Sequence, residues 1–454
     1  MKLIFRFLKA IKVFFLLFAI TAFNPGYAQT SSVDSLLLPS ESYTLKNGLQ
    51  VILQPDPTVH TVSIEFWLKD GYRMDTEHEY GLMHFYEHVT PYSKMDSISR
   101  SRYKKSITDS NAQVRPDFSR YYLEMEPEGL PYALEVAAGR LKAAPTAITT
   151  ALVERERKRV LSEIARNTSN PLWSAKGGMA LHSGVFGADH PYGHNAYGLV
   201  ENNEKFKVED FRNRHSQVAF AHNTILFVVG NFDSSKTKQL IKNYYGPLPL
   251  KRKMDIPLKS PKYVPGHITM KAPSENDSLN TLVFAWGIPE YVSPQNDGLP
   301  LLSTVLQQRL KENKSIPVSI VDLESYVELF QYAGMFICEL RFSNGKDPSS
   351  VEDYVRGVLD ELIKKGVRQE ELEMAKEREI EGIKEQQRYL GFQYSRTSLL
   401  GESLLFTGDL NFYLTRLKNQ QMLTQKSLDK AARKWLAKKP FRILFTANKG
   451  SGNE

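Results

Sequence analysis

The sequence predicts an α+β protein that contains two similar α/β sandwich domains. The chain has 454 residues, which exceeds what a single hydrophobic core usually organises and suits two domains of about 200 residues each. Short alternating or apolar runs, typical of strands, are interspersed with longer runs of helical periodicity. The patterns at residues 63–89 and 208–229 also recur in outline at residues 282–306 and 427–447. This internal repeat indicates duplication of one domain.

The individual elements follow from the same patterns. The Asn47-Gly48 dipeptide interrupts a strand pattern over residues 43–54 and is typical of a hairpin turn. Further strands are predicted at residues 62–68, 121–125, 225–229, 281–286 and 335–342, and helices at residues 130–143, 149–167, 234–245 and 350–364. Residues 369–387 are polar throughout and predict a long, solvated helix that carries no motif.

The first 28 residues have the layout of an export signal. Basic residues flank an apolar run at residues 13–23, and Gly26-Tyr27-Ala28 then provides small residues suited to cleavage after Ala28. The run is shorter than the roughly 20 apolar residues of a membrane-spanning helix, although an uncleaved anchor is the alternative. No cysteine lies near the cleavage site, which argues against a lipid anchor. We therefore expect export by a Sec-type signal peptide, with the periplasm as the destination and no stable membrane anchor.

Composition argues against two classes of function. The leader contains four basic residues and no acidic residue, so its removal lowers the formal net charge from +8 to +4. No basic stripe interleaved with aromatic residues is present, and nucleic-acid binding has no support. Cys338 is the only cysteine and lies in an apolar run. This predicts a buried thiol in a strand, and it excludes an intrachain disulfide and disfavours a cysteine nucleophile.

Residues 84–88, His-Phe-Tyr-Glu-His, carry the strongest functional signal. On a helix, positions i, i+3 and i+4 share a narrow arc, so both imidazoles and the Glu87 carboxylate face the same side. Two histidines at this spacing can hold one zinc ion, and H-x-x-E-H is the inverted form of the commoner metallopeptidase motif. Leu82, Phe85 and Val89 share the opposite face and predict that the helix packs against a core.

A catalytic zinc ion needs a third protein ligand, for which Glu163 is the best candidate. The helix predicted at residues 149–167 has an apolar stripe, and both Glu156 and Glu163 border that stripe two turns apart. The alternative for the acidic residues of this helix is a solvated face that pairs with neighbouring arginines and lysines. We adopt that alternative for Glu154.

These residues resemble the pitrilysin-type metallopeptidases, or inverted zincins, a family that includes insulin-degrading enzyme and the mitochondrial processing peptidase. The resemblance extends from about residue 43 to the C terminus. In length the chain is similar to the half-size, processing-peptidase-like members of the family. It rests on four places: the 84–88 motif preceded by Gly81, the Glu156 and Glu163 pair, Asn111-Ala112 followed by Tyr121-Tyr122, and residues 190–193, His-Pro-Tyr-Gly, with the strand at 225–230. It implies two domains of the pitrilysin α/β sandwich type.

The resemblance also implies a metal site and a reaction. His84, His88 and Glu163 would bind Zn²⁺, and Glu87 would act as the general base that activates water for attack on a peptide bond. Glu156 would orient a ligating histidine, with a surface ion pair as the alternative. The implied activity is that of an exported zinc metalloendopeptidase that hydrolyses peptides or unfolded polypeptides.

Substrate binding is implied at an exposed sheet edge. The strand that contains Asn111 would take the peptide as an added strand, so main-chain hydrogen bonds would supply affinity without requiring one sequence. The alternative for Asn111 is a turn before an ordinary strand. His190 and Tyr192 lie in good turn chemistry, and a turn needs no catalytic role.

The chain departs from the family pattern in two places. Residues 89–92, Val-Thr-Pro-Tyr, replace the residues that usually follow the motif. Family members that complete their own substrate site carry an Arg and a Tyr seven residues apart in the second domain, whereas this chain has Lys311 and Val318 there, and Arg309 is a poor substitute. We therefore expect a dimer, either a homo-oligomer or a heterodimer with a family paralogue that supplies the Arg/Tyr pair.

The predicted organisation is a signal peptide at 1–28, a zinc-binding peptidase domain at 29–250, a proline- and lysine-rich linker at 251–265 and a second domain at 266–454. The second domain has residues 300–304, Pro-Leu-Leu-Ser-Thr, where histidines would be needed, so it is predicted not to bind the metal. The alternative function is a catalytically silent scaffold or partner subunit of a pitrilysin-type peptidase complex. A processing enzyme for one precursor would differ only in its substrate.

Overall fold

The computed structural model describes residues 33–90, 101, 104–166, 170–251, 258, 260–263, 265–272, 278–313, 317, 320–345 and 347–448. The chain divides into two compact units, residues 1–35 and 36–454. In the first unit only residues 33–35 are described, and the leader predicted at residues 1–28 lies outside the described residues. Both sheets and all the helices labelled below belong to the second unit.

The first half of that unit contains a six-stranded mixed sheet in the order β1-β2-β6-β3-β5-β4. The strands are β1 (Glu41–Thr44), β2 (Gln50–Pro55), β3 (Val62–Leu68), β4 (Ile107–Val114), β5 (Ser119–Met125) and β6 (Thr224–Gly230). Its helices are α1 (Leu82–Val89), α2 (Leu130–Lys142), α3 (Thr150–Arg166), α4 (Ala175–Phe186), α5 (Val200–Lys205), α6 (Val208–Val218) and α7 (Ser234–Tyr245).

The second half contains a five-stranded sheet in the order β7-β11-β8-β10-β9. The strands are β7 (Gly266–Lys271), β8 (Leu279–Ile288), β9 (Ile320–Leu329), β10 (Gly334–Ser343) and β11 (Phe441–Thr446). Its helices are α8 (Leu299–Glu312), α9 (Pro348–Lys365), α10 (Gln369–Gln386), α11 (Arg396–Thr407), α12 (Phe412–Met422) and α13 (Gln425–Trp435).

The two sheets have the same topology. In each sheet the first and last strands of the repeat, β2 with β6 and β7 with β11, pair in parallel, and every other pairing is antiparallel. The last strand then pairs with the second, the second with the fourth and the fourth with the third, while β1 is an additional hairpin strand. The predicted fold class, two homologous α/β sandwich domains, is confirmed. The domain limits proposed from the sequence stay a prediction.

Most predicted elements lie close to their observed positions. Strand β3 and helix α7 begin and end at the predicted residues, and β8 extends past the prediction at both ends. The hairpin at Asn47-Gly48 is present, with Gly48 at φ 88°, a left-handed conformation that favours glycine. Strands β3 and β6 are buried at every residue, which is expected where helices cover both faces of a sheet.

The two halves exchange helices across their sheets. Helix α4, from the first half, packs its Leu181, Val185 and Phe186 side chains against Val283 and other residues of the second sheet. Helix α11, from the second half, lies against the first sheet, where Gly401 approaches the Trp67 ring so closely that a Cβ would be 2.5 Å from it. Each sheet therefore has helices of its own half on one face and a helix of the other half on the opposite face.

Candidate metal centre

Helix α1 carries the histidine motif and is held at its N terminus by a buried carboxylate. It follows Gly81, whose φ of 99° allows the sharp entry into the helix. One carboxylate oxygen of Asp75 accepts hydrogen bonds from the Gly81 and Met83 amides at 3.3 and 3.1 Å, and the other accepts one from Arg214 Nη1 at 2.7 Å. Leu82, Phe85 and Val89 are buried in the core, as predicted.

The structure brings His84, His88 and Glu163 together. One ligand atom from each residue lies within 4.8 Å of the other two. Nε2 of His84 is 3.9 Å from one Glu163 carboxylate oxygen, and Nε2 of His88 is 3.4 Å from the other. The imidazole rings are nearly perpendicular, with centroids 5.1 Å apart. Both Nε2 atoms thus point to one carboxylate, the arrangement that three ligands of a single cation require.

Helix α3 supplies Glu163 from the border of its buried stripe. Val153, Val160 and Ile164 pack into the core and fix the rotation of the helix. Glu156, two turns before Glu163, is only 3% exposed, and its Oε2 is 4.0 Å from Nδ1 of His88.

Two acidic residues of the same helix, Glu156 and Glu154, form ion pairs with neighbouring arginines but differ in burial. Arg155 Nε donates to Glu156 Oε1 at 2.8 Å, and Arg159 Nη1 donates to Glu156 Oε2 at 3.1 Å, so the buried Glu156 carboxylate is charge-compensated. Glu154, in contrast, is exposed and pairs with Arg157, as predicted for a residue on the solvated face.

The titration behaviour of the cluster favours cation binding. Burial, together with His88, lowers the pKa of His84 to about 4, so its imidazole is neutral at ordinary pH, the form that ligates a metal. Burial would also lower the pKa of His88, but the hydrogen bond to Glu163 and the nearby carboxylates outweigh it and raise that pKa. Burial raises the pKa of Glu87, with Glu163 adding to the effect and His88 opposing it.

Strand β4 is an edge of the first sheet, because it pairs with β5 on one side only among the described residues. Asn111 lies inside this strand, opposite Tyr122, and not at a turn before it. Its side chain is exposed, and its Oδ1 accepts a hydrogen bond from the Ala112 amide at 2.8 Å. Residues 108–111 of the strand are exposed, so its outer main-chain groups can pair with an added strand.

Two contacts to the motif helix were not identified from the sequence. Thr90, the residue that ends α1, donates a hydrogen bond to the Tyr86 carbonyl at 2.8 Å and shares another with the Tyr121 hydroxyl at 2.7 Å. The Tyr197 ring lies edge-on to His84 at 5.2 Å between centroids. Thr90 belongs to the segment at residues 89–92 in which the sequence departs from the family pattern, and its hydroxyl ties the end of α1 to Tyr121 of β5.

The turn that contains His190 and Tyr192 is structural. A ring nitrogen of His190 accepts a hydrogen bond from the Tyr192 amide at 3.0 Å, which closes the turn. The buried Tyr192 hydroxyl donates to Asp117 at 2.6 Å, and Asp117 also accepts from the Gln331 amide at 2.9 Å. These contacts join the two halves of the chain. Cys338 is buried in β10, as predicted.

The second half offers no described Arg/Tyr pair at the expected position. Arg309 is committed to a bidentate ion pair with the buried Glu371, at 2.8 and 2.7 Å, and donates to the Gly366 carbonyl. Lys311 is exposed near the end of α8, and Val318 lies outside the described residues. The prediction that Arg309 is a poor substitute is therefore supported by its ion pair.

Sequence comparison identifies the family. Residues 50–191 match the profile of Insulinase (Peptidase family M16), and residues 205–379 match that of the Peptidase M16 inactive domain. The chain belongs to peptidase family M16. This confirms the resemblance to pitrilysin-type peptidases. It also agrees with the internal duplication, since the two profiles lie in succession along the chain.

Two bacterial relatives are described as zinc proteases. The chain is 26% identical over 286 residues to the zinc protease PqqE of Helicobacter pylori, a match covering 60% of this chain and 62% of that protein. It is 24% identical over 348 residues to YmxG of Bacillus subtilis, described as an uncharacterized zinc protease, covering 74% and 81%. The match therefore spans less than two thirds of the H. pylori relative.

Solved structures share the fold at low sequence identity. A protease from Helicobacter pylori has a TM-score of 0.77 and 20% identity, over 90% of this chain and 100% of that chain. A structure described as the periplasmic protease PqqL from Escherichia coli has a TM-score of 0.69 and 17% identity, over 90% of this chain and 48% of that one. Within the described part of this chain, none of the helices has the length and apolarity needed to cross a membrane.

Proposed function

We propose that this protein is an exported zinc metalloendopeptidase that hydrolyses peptides or unfolded polypeptides. The observation that carries the proposal is the convergence of His84, His88 and Glu163, with ligand atoms within 4.8 Å of one another, beside the Glu87 carboxylate. Two imidazole nitrogens and one carboxylate oxygen form the donor set of many catalytic zinc sites. The neutral state of His84 and the surplus of carboxylates around the histidines fit a divalent cation.

Each residue of the cluster has a distinct role in this proposal. His84, His88 and Glu163 would hold the ion, which would supply Lewis-acid chemistry toward water and a peptide carbonyl. Glu87 accepts the proton of the attacking water and then delivers it to the leaving amine. Its raised pKa suits both steps, because a carboxylate with a higher proton affinity is a stronger base. Glu156 keeps the His88 ring oriented through the carboxylate that lies 4.0 Å from Nδ1.

The peptide binds along the open edge of the first sheet. Main-chain groups of β4 pair with the substrate as an added strand, which gives affinity without a strict sequence requirement. Asn111 lies in this edge and contacts the bound peptide. Polypeptides must be extended to bind in this way, so folded proteins are poor substrates.

A partner chain completes the site. Arg309 is held by Glu371, so it is not available to contact a substrate. The chain forms a dimer in this proposal, either a homo-oligomer or a heterodimer with a family paralogue, and only the paralogue would supply the missing Arg/Tyr pair. In this proposal the active species is a dimer, and it acts in the periplasm after removal of the leader at residues 1–28.

A catalytically silent scaffold subunit is the second candidate. The match of residues 205–379 to the family's inactive domain and the absence of an Arg/Tyr pair at the expected positions favour it. The retained cluster around His84 favours the peptidase, because a scaffold has no need of three converging ligands and a carboxylate beside them.

Glu87→Gln separates the two candidates. In a peptidase the substitution keeps the three ligands, so zinc content stays near one ion per chain, while cleavage of a fluorogenic peptide library falls by at least about a hundredfold. His84→Ala is the matched control and loses both zinc and activity. The assay uses the mature chain alone and with candidate paralogues. If the wild-type chain binds zinc with its partner present but cleaves nothing above the Glu87→Gln background, the peptidase proposal is wrong.

A further inference from the structure

A loop between α10 and α11 holds two aromatic residues in left-handed backbone conformations. Phe392 has φ 68° and Tyr394 has φ 51°, and no other non-glycine residue in the described part of the chain has a positive φ. Bulky side chains avoid this region because the Cβ is crowded there, so the surrounding structure must impose it.

The first half of the chain imposes the conformation at Phe392. The buried Glu65 carboxylate, on the central strand β3, accepts the Phe392 amide, and the Phe392 carbonyl accepts a hydrogen bond from Arg120 at 3.0 Å. Ser395 and Ser398 donate to the same carbonyl, both at 2.6 Å. The Phe392 ring lies 4.9 Å from the Arg120 guanidinium and stacks on Tyr122.

Tyr394 is presented to solvent by this clamp. Its side chain is 75% exposed, although the loop on either side is anchored. The charges that act on its hydroxyl include Arg115 from the first half and Glu328 from the second. Arg115 is the residue that directly follows β4, and its Nη2 lies 3.9 Å from a Glu328 carboxylate oxygen. Arg120, whose guanidinium donates to the Phe392 carbonyl, also donates to Gln113 of β4 at 2.7 Å, so the loop that carries Tyr394 lies beside the last residues of the open edge strand.

We propose that Tyr394 forms a peptide-binding subsite at the Arg115 end of β4, which contacts a polypeptide that extends past the metal centre along that strand. This inference rests on the proposed peptidase function. Tyr394 combines a strained backbone with an exposed side chain, so packing of its ring does not account for its conformation, and tyrosine offers a large apolar surface and a hydroxyl that can bond to backbone groups.

The subsite selects for peptide length. Ala112 pairs with Tyr121, whose hydroxyl bonds to Thr90 at the C-terminal end of the motif helix, so the distance along β4 is taken from Ala112. From Ala112 to Arg115 an extended chain covers about 10 Å, at roughly 3.3 Å per residue. Peptides that extend about four or more residues past the scissile bond in that direction reach Tyr394, and shorter ones do not.

Charge around the hydroxyl supports a hydrogen-bonding role. The Glu328 and Glu402 carboxylates disfavour ionisation of the Tyr394 hydroxyl and Arg115 favours it, and a phenol, with an ordinary pKa of about 10, carries its proton at neutral pH. A protonated phenol can donate to a peptide carbonyl.

Fluorescence anisotropy with a labelled twelve-residue peptide tests the subsite in a Glu87→Gln background, with zinc and the partner present. Tyr394→Asn removes the ring but tolerates the left-handed backbone, so we expect at least about fivefold weaker binding and an unfolding temperature equal to or above that of the parent. A peptide shortened to end within two residues of the scissile bond on that side should bind both proteins equally. Tyr389→Asn, which changes an exposed tyrosine of the same loop, is the control and should leave binding unchanged.

The proposal is overturned if Tyr394→Asn binds the long peptide within twofold of the parent, or if Tyr389→Asn weakens binding as much. Tyr394→Gly provides a second variant that also accepts φ 51°, in case the asparagine variant folds poorly. Because binding is measured without cleavage, the two proposals fail separately. If peptide binding depends on Tyr394 but the chain cleaves nothing, the subsite stands and the peptidase proposal is wrong. If the chain cleaves peptides and Tyr394→Asn has an unchanged KM, the peptidase proposal stands and the subsite is wrong.

Discussion

Replacing Arg214 by methionine should destabilise the first half strongly, because it leaves the Asp75 carboxylate buried without a counter-charge. Asp75 and Arg214 are both almost fully buried and lie 2.7 Å apart. Removal of one member of a buried pair costs about 3–5 kcal/mol in the free energy of unfolding. The loss reaches the metal centre, because the same carboxylate caps helix α1 at the Gly81 and Met83 amides.

The deficit should depend on pH in a defined direction. Burial raises the pKa of Asp75 from 3.8 to about 6 even with Arg214 and the amide donors opposing it. For a carboxyl whose folded pKa is raised, the stabilising contribution is fully present below the unfolded value of 3.8 and is lost as pH rises through the folded value. In Arg214→Met the folded pKa rises further, so the variant is most impaired near pH 8 and recovers toward pH 5.

Urea unfolding followed by circular dichroism at pH 5 and pH 8 measures both effects. The double variant Asp75→Asn with Arg214→Met should regain most of the loss at pH 8, since it leaves no uncompensated charge. Lys238→Met, which breaks the exposed pair with Glu41, is the control and should cost less than about 1 kcal/mol. A loss below about 1 kcal/mol for Arg214→Met at pH 8, or a double variant no more stable than the single one, would refute the reasoning.

Three further predictions follow from the described contacts. Zinc at a hundredfold excess over Kd should raise the free energy of unfolding of the wild type by about 2.7 kcal/mol but leave His84→Ala unchanged, as measured by urea unfolding with and without the ion. Gly81→Ala should lower the free energy of unfolding by about 1–3 kcal/mol and weaken zinc binding measured by calorimetry, because Gly81 has φ 99° and the added Cβ would lie 2.6 Å from the Tyr197 carbonyl oxygen. Gly357→Ala is the control; it has open space around it and should be neutral or stabilising. Burial raises the pKa of Glu339 from 4.5 to about 7, so the stability that this carboxyl contributes is present below pH 4.5 and is lost as pH rises through 7. Glu339→Gln should therefore raise the free energy of unfolding by up to about 3 kcal/mol at pH 8 and leave it unchanged near pH 4. An equal increase at both pH values would contradict this.

Much of the fold follows from local patterns. Strand β3 and helix α7 were predicted to the residue because each has one unbroken periodicity with clear ends. The duplication was visible because each half repeats the same order of patterns, and the matching sheet topologies bear it out. Helices α4 and α11 were not predicted. Each covers the sheet of the other half, and no local sequence pattern indicates which sheet a helix will contact.

The candidate site divides in the same way. The shared direction of His84, Glu87 and His88 follows from helical geometry alone. The distance from His88 to Glu163, in contrast, depends on how α3 packs beside α1, and the sequence supports it only through family resemblance. Thr90 and Tyr121 were overlooked because a hydrogen bond between a helix end and a distant strand leaves no periodic signal.

The sequence by itself determined the two-domain α+β class, the helical face that presents the histidines and the burial of Cys338, because each depends on residues within a few turns or strands of one another. Only the tertiary structure decided that Arg309 is occupied by Glu371, that each half covers the other's sheet, and that the loop with the left-handed Tyr394 lies beside the last residues of β4. These arrangements join residues far apart in the chain, and their geometry is set by how whole elements pack.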